Sequence, residues 1–334
     1  MLRAMDSAVA GLRAHQNKLD VIGNNIANVN TFGFKAQSYS FKDTMYQTSS
    51  ASSGGKKNGD NLGTIGGANP AQYGYGALTG SIATDYTSST PSYVGGFNAS
   101  INGSGFFITN STNLDSTSRT VTIKRNDTAA TTKELKSNDF SYTRVGQFTI
   151  DANGYMVDSN GNFVYGFRPD NLLEPTKYGG GDDDKTLHAL RAPSAADIAG
   201  IPGGTPGFTG AASQLKSVEI GNDGVIKATV DKDGVATSVV IGKVAVASFQ
   251  NQEGLMKAGN NTFNASSGDN TGIVTASEPG GATPTLMSGY LEASNVDLAK
   301  EFSDMITTQR GFQANSKIIT VSDEILQELV NMKR

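Results

Sequence analysis

Cysteine is absent from the 334 residues, tryptophan is absent too, and there are only two histidines, His15 and His188. Without a thiol the chain can form no disulfide, no thiolate nucleophile and no sulfur-ligated metal site. Two imidazoles leave little material for acid–base or metal chemistry. Charge of one sign is also lacking: 27 Lys and Arg stand against 31 Asp and Glu, so there is no electrostatic footprint for nucleic acid or an anionic membrane. No apolar run approaches the roughly 18 residues that span a bilayer, and the N-terminus has neither the apolar core nor the small-residue cleavage site of a secretory signal. Any export is therefore expected to use a route that reads no cleaved signal. At 37% hydrophobic with 40 glycines, the composition predicts modest cores and many turns.

What the chain does have is a matched pair of ends. Met5, Leu12, Leu19 and Ile26 recur at intervals of seven, flanked by a half-polar column of Leu2, Val9, Gln16 and Gly23. At the other end Leu298, Met305, Phe312, Ile319 and Leu326 form an apolar column beside Phe302, Gln309, Ser316, Asp323 and Val330. Both read as heptad seams with one good column. At 1.5 Å per residue the helices would be on the order of 40 and 50 Å long, more than a small domain needs, and Ile318 and Ile325 widen the second face. An intramolecular pair capping a domain and an intermolecular seam both fit the pattern; length and apolar width favour the second. The first helix runs into Asn24, Asn25, Asn28 and Asn30 and then "TFGFK". Asparagine competes for backbone groups and marks a helix exit, while Gly33 between Phe32 and Phe34 reads as the turn of a hinge with two apolar anchors.

The middle, roughly 70 to 290, alternates apolar and polar residues in short runs broken by Gly and Asn, among them "FSYTRVGQFTIDANGYMVDSNGNFVYGF" and "LKSVEIGNDGVIKATV". Asn153-Gly154, Asn160-Gly161 and Asp223-Gly224 predict tight hairpins in which both turn residues take positive φ. The expected class is α+β: long terminal helices forming one coiled-coil layer (1–30 and 291–334), an extended arm or linker (31–80), a hairpin-rich all-β domain (81–168 and 214–290), and a Pro/Gly-rich insertion (169–213). A second Thr/Ser/Asn-rich loop runs from Asn110 to Asn138.

Catalytic and metal readings fare poorly. Asp151, Asn153, Asp158 and Asn160 offer oxygen donors, but they lack the ligand ladder and distal glutamate of a calcium loop and are accounted for by turns. Asp182 to Asp184 read as a solvated loop. "GSGFF" at 103–107 has no following lysine or helix and reads as a strand turn with two packing phenylalanines. His15 is placed on a polar helix surface and His188 in a loop without partners. No serine has a nucleophile-elbow context. No catalytic, cofactor or metal site is expected.

Several of these segments resemble one family. "LDVIGNNIANVNTFGFK" at 19–35, "NGSGFFI", "YTRVGQFTIDANGYMVDSNG" and the stretch from "SGYLEASNVDLAKEF" to the C-terminus are similar, in order, to the flagellar rod and hook family of axial proteins. "GGANPAQYGYG" at 66–76 and the ending "ITVSDEILQELVNMKR" look like the hook members of the short type; the alternative is a distal rod subunit. The longest hook proteins carry a second outer β-domain, and only residues 169–213 occupy that place here. The resemblance implies a subunit of the bacterial flagellum, exported by the flagellar type III apparatus without a cleaved signal and assembled into the extracellular hook, the curved universal joint between rod and filament. It implies copies of itself, a hook-capping protein, a distal rod protein and a hook–filament junction protein as partners, and no cofactor. On that reading Met5, Val9, Leu12, Leu19, Ile26, Leu298, Phe302, Met305, Phe312, Ile319 and Leu326 form the polymerisation interface. Asn24, Asn25, Asn28, Phe32, Gly33 and Phe34 form the junction of helix and arm.

Overall fold

The computed structural model describes residues 2–54, 56–58, 62–114, 121–124, 135–136, 140–170, 177–178, 184–192, 215–232, 235–280 and 283–332. The class is α+β: among the described residues a helix Leu2–Ala27, a longer helix Leu298–Met332, and short strands between them. The chain divides into two compact units. A helical unit comprises Met1–Val29, Ala36–Thr84 and Val296–Arg334; a β-unit comprises Asn30–Lys35 and Asp85–Asn295.

In the helical unit the two helices pack antiparallel, since Asn25 meets Glu301, His15 meets Gly311 and Gly11 meets Asn315. Asp297 caps the C-terminal helix, its carboxylate accepting the Ala299 and Lys300 amides at 2.9 and 3.2 Å, which satisfies donors the helix cannot use itself. In the segment expected to be an extended arm or linker, the described residues pair as a two-stranded antiparallel ribbon. Gln37–Asp43 pairs with Ala77–Thr84, Tyr46–Ser50 with Ala71–Gly74, and Lys56–Asn58 with Leu62–Ile65. A lone hairpin is marginal in water, and this one is braced by the N-terminal helix. The helix backbone at Ser7 comes so close to Gly76 that a side chain there would lie 2.9 Å from the Ser7 carbonyl, and Asn17 Nδ2 donates to Thr79 Oγ1 at 3.2 Å.

The β-unit is organised on one large antiparallel sheet with two cores. Its central path runs Leu215–Ile220, Val225–Lys232, Val235–Val244, Phe163–Phe167, Phe106–Asn110, Ser141–Thr143, Thr262–Asn264 and Met256–Gly259. The period of two explains why there are two cores: Phe106 and Ile108 point into one, with Phe140, Tyr142, Tyr165 and Phe249, while Phe107 points into the other, with Ile101, Phe148, Val164 and Val246. The unbroken "FFITN" run is buried throughout, as a strand covered on both faces requires.

The hairpin turns differ from the expected pairs of positive φ. Gly154, Gly161 and Gly224 have φ of +84°, +81° and +77°, and Asn153, Asn160 and Asp223 do not share it. Asp151 and Asp158 decide this. Each carboxylate accepts the amides two and four residues on, Asn153 and Tyr155 in the first case and Asn160 and Asn162 in the second, which builds a turn of ordinary φ followed by a left-handed glycine. The aspartates that resembled calcium ligands are therefore the scaffolds of two turns, and the described residues hold no cluster of three or more metal-ligating groups.

Most of the Asn110–Asn138 loop and of the 169–213 insertion lies outside the described residues, as do Asp182 and Asp183. Each segment nevertheless contributes a strand: Val121–Lys124 pairs with Asp184–Ala189, which continues onto Phe163–Phe167. His188 accordingly sits half-buried on a strand opposite Gly166 rather than in a loop, and it is not without a partner.

Candidate functional site

Two features stand out: the face of the helix pair, and the place where the chain enters and leaves the β-unit. On the helix pair the expected columns divide. Met5, Leu12, Leu19, Ile26, Met305, Ile319 and Leu326 are half-buried, whereas Val9, Leu298, Phe302 and Phe312 are exposed. The column expected to complete the C-terminal seam, Phe302, Gln309, Ser316, Asp323 and Val330, faces outward. In its place Glu301, Thr308, Asn315 and Ser322, also seven apart, turn inward. The reason is steric. The helices approach closely at Gly11 and Gly311, where a Cβ would come within 2.7 Å of Asn315 Nδ2 and His15 Cε1 respectively, and so close a seam admits small and polar side chains and excludes phenylalanine.

The larger apolar side chains are left outside. Leu298, Phe302 and Ile306, one turn apart, form one exposed stripe, and Ile318, Val321, Ile325, Leu329 and Met332, spaced three or four apart, form another; Phe302 is 49% and Ile306 59% exposed. Apolar helix faces of this width are usually covered by a partner rather than left in water.

At the end of the first helix Asn25 is 1% exposed and makes three hydrogen bonds. Its Oδ1 accepts the Gln37 amide at 3.0 Å, and its Nδ2 donates to the Gln37 carbonyl at 2.8 Å and to Glu301 Oε1 at 3.0 Å. One side chain thus ties the helix, the first residue of the ribbon and the C-terminal helix together within this unit. Asn28 turns back on its own helix, donating to the Asn24 carbonyl at 2.9 Å. Asn24 is exposed; its carbonyl also accepts the Asn28 amide at 3.2 Å and its Oδ1 accepts Asn28 Nδ2 at 3.4 Å.

Phe32, Gly33 and Phe34 belong to the β-unit, and the expected hinge is a docked segment. The Gly33 amide donates to the Glu292 carbonyl at 2.8 Å, Asn261 Nδ2 to the Phe32 carbonyl at 3.2 Å, and Lys257 Nζ to the Lys35 carbonyl at 2.7 Å. Lys257 also lies 4.6 Å above the Phe34 ring, and burial lowers its pKa to about 8. Gly33 has φ +68°, and a Cβ there would stand 2.8 Å from Val145 Cγ2 and 3.1 Å from the Val145 amide. Gly33→Ala is expected to destabilise the β-unit by about 1–3 kcal/mol, read as a lower midpoint in urea denaturation of the full chain; an unchanged midpoint would show the segment free to move.

Sequence reading missed the residues beneath this segment. Glu292, 1% exposed, accepts Lys35 Nζ at 2.8 Å, Arg144 Nε at 2.8 Å and Nη2 at 3.1 Å, and the Ser89 amide at 3.1 Å. Arg144 donates further to the carbonyls of Gly103 and Gly105 at 2.8 and 2.6 Å, and Lys35 to that of Thr87 at 2.7 Å. Burial alone would raise the Glu292 pKa; the Arg144 hydrogen bond and charge, followed by Lys35, outweigh it and hold the carboxyl below its ordinary range. Lys35 moves in the opposite sense to that of a simple ion pair, because burial and the neighbouring Arg144 outweigh its attraction to Glu292. The bidentate Arg144–Glu292 pair is therefore the anchor of the cluster, with Lys35 as a second cation held mainly by position. Three passages of chain, Gly33–Lys35, Thr87–Ser89 and Glu292–Asn295, are clasped here; Ser89 Oγ also donates to the Ser294 carbonyl and Asn295 Nδ2 to that of Asp85.

Comparison with known proteins follows the same segments. The family models described as "Flagella basal body rod protein", "Flagellar hook protein FlgE/F/G D1 domain" and "Flagellar basal body rod FlgEFG protein C-terminal" match residues 5–35, 132–228 and 287–332. The chain is similar to the flagellar basal-body rod protein FlgG of Bacillus subtilis, 38% identical over 336 positions with all of both chains covered. It is also similar to the flagellar hook protein FlgE of Borreliella burgdorferi, 29% identical over 449 positions and again covering both chains, and to the rod protein FlgG of Caulobacter vibrioides, 27% identical over 329 positions with 98% and 97% covered.

Proposed function

Given that the chain belongs to the flagellar rod and hook family of axial proteins, structural subunits and not enzymes, we propose that it is a distal-rod subunit which polymerises with copies of itself into the flagellar tube. The observation that carries the rod reading is the 38% identity to a rod protein over an alignment that spans all of both chains, against 29% for the hook protein of Borreliella burgdorferi, whose alignment extends to 449 positions. The exposed stripes of the C-terminal helix supply the means. Leu298, Phe302, Phe312 and Val9 are covered by neighbouring protomers, the half-buried Met5, Leu12, Leu19, Ile26, Met305, Ile319 and Leu326 complete the coiled-coil layer, and each large side chain contributes on the order of 1.5–3 kcal/mol before ordering entropy is subtracted.

The hook reading is favoured by two stretches that resemble hook members, the "GGANPAQYGYG" segment at 66–76, which includes the returning strand Ala71–Gly74 of the ribbon, and the ending "ITVSDEILQELVNMKR". Under either reading the protein leaves the cytoplasm through the flagellar type III apparatus without a cleaved signal. A rod subunit is followed along the axis by hook subunits; a hook subunit has the capping, distal-rod and junction proteins as neighbours. Electron microscopy of polymer formed in cells lacking the other axial proteins separates them: straight, stiff tubes are expected, and curved tubes would overturn the rod assignment in favour of the hook.

A further inference from the structure

His15 occupies a position for which neither assembly nor packing needs an imidazole. It lies mid-helix in the N-terminal helix, half-buried, and three elements of the helical unit close on it. Across the seam is Gly311 of the C-terminal helix, so near that a Cβ there would stand 2.7 Å from His15 Cε1, 2.9 Å from Nε2 and 3.2 Å from Nδ1. From the ribbon the Phe41 ring packs at 5.2 Å between centroids, tilted by 59°. From its own helix comes Lys18, one turn on, whose Nζ lies 5.7 Å from the same Phe41 ring. The Nδ1 atom is buried and has no hydrogen-bond partner.

We propose that His15 is a proton-sensitive latch, neutral when the N-terminal helix is seated against the C-terminal helix and the ribbon, and released when the ring is protonated. The charged form has nowhere to go. Gly311 offers no acceptor side chain, Phe41 offers a ring, and among the described residues the charge that acts on the imidazole is Lys18, a cation that opposes a second. A carboxylate from the C-terminal helix or the ribbon would have stabilised the imidazolium; among the described residues none does so. Protonation therefore adds a charge, and an Nδ1–H donor, at a buried nitrogen that has no acceptor beside it, and moving the helix away is the way to hydrate that nitrogen.

The sign follows from the seating. Burial, and then Lys18, hold the His15 pKa below its ordinary value. The unfolded or unseated helix thus binds more protons than the seated one, and stability rises with pH through this window. Seating is fully stabilised above the free imidazole pKa of about 6.5 and is lost progressively as pH falls below it. Carboxylates titrate at about 4, so a histidine-dependent step is separable from general acid denaturation.

The test compares full-length wild type with His15→Phe, which keeps a planar ring against Phe41, and His15→Gln, which is neutral and polar. Polymer isolated from cells is stepped from pH 8 to pH 4, with pelleting and helical circular dichroism as readouts. The wild type is expected to loosen first, with its midpoint on the order of one pH unit above those of both variants. Superimposable acid profiles for all three chains overturn the latch. If neither variant assembles, hydrogen exchange in residues 8–22 of the wild type, corrected for intrinsic rates, decides the matter: a tenfold or greater loss of protection between about pH 7.5 and 5.5 supports it, and flat protection overturns it. That readout requires only the helical unit as described, so its failure is distinct from a failure of the assembly reading.

Discussion

Glu292→Ala is expected to cost the β-unit about 3–5 kcal/mol, read as a large fall in the urea midpoint of the full chain by far-ultraviolet circular dichroism. The magnitude comes from what remains after the substitution, not from the ion pairs themselves. Arg144 and Lys35 would both stay buried, at 2% and 1% side-chain exposure, without the carboxylate they share and with Asp85 left acting on Lys35. Their carbonyl partners at Gly103, Gly105 and Thr87 satisfy donors but cannot neutralise two adjacent cations. The same substitution frees the Ser89 amide and loosens all three clasped passages together. A loss below about 1 kcal/mol would mean that water reaches the cluster and that it is no clasp. The pH dependence has a definite sign. The Glu292 pKa is held below its ordinary value, so its contribution is fully present above the free carboxylate pKa of about 4.3 and fades as pH falls below it. The Glu292→Ala chain should lack that component of the acid transition.

Removing residues 302–334 is expected to abolish polymer formation while leaving the β-unit's denaturation midpoint unchanged. The deletion takes away Gly311 and Asn315, the partners of His15 and Gly11, and with them the exposed stripes from Phe302 to Met332, but it stops short of the clasp at Glu292–Asn295. The N-terminal helix would then lack the partner that holds it, and an isolated helix of its length is marginal in water. Sedimentation separates the outcomes. A soluble monomer with intact sheet is expected, and a truncated chain that still forms tubes would defeat the assignment of assembly to this helix.

The parts of this architecture that rest on short-range pattern were legible in the sequence. Both helices declare themselves by their apolar spacing, and the strands of the β-unit by alternation and turn glycines. The inward face of the C-terminal helix was not legible, because ranking by apolarity selects Phe302 where close approach selects Glu301, Thr308, Asn315 and Ser322. The usable signal was the small residues Ala8, Gly11 and Gly311, which permit such an approach. Residues 47–81, rich in Ser, Gly and Asn, read only as a linker or extended arm, because the pairing of Gln37–Asp43 with Ala77–Thr84 and of Tyr46–Ser50 with Ala71–Gly74 joins residues too far apart in sequence for local pattern to show. Lys35, Arg144 and Glu292 lie more than a hundred residues apart, and no local spacing joins them. The turn chemistry could have been read more closely: an aspartate two residues ahead of each Asn-Gly pair announces a side-chain-built turn.

The two glycines of the helix seam fix more than its closeness. Gly11 receives Asn315 and Gly311 receives His15, so each helix carries a notch for a side chain of the other, four residues apart on both. Sliding one helix past the other by a turn would set those side chains against positions that already bear a Cβ. The pair therefore behaves under axial load as a keyed strut of fixed length, and any stretch or compression of a tube built from it falls on the looser apolar surfaces between protomers.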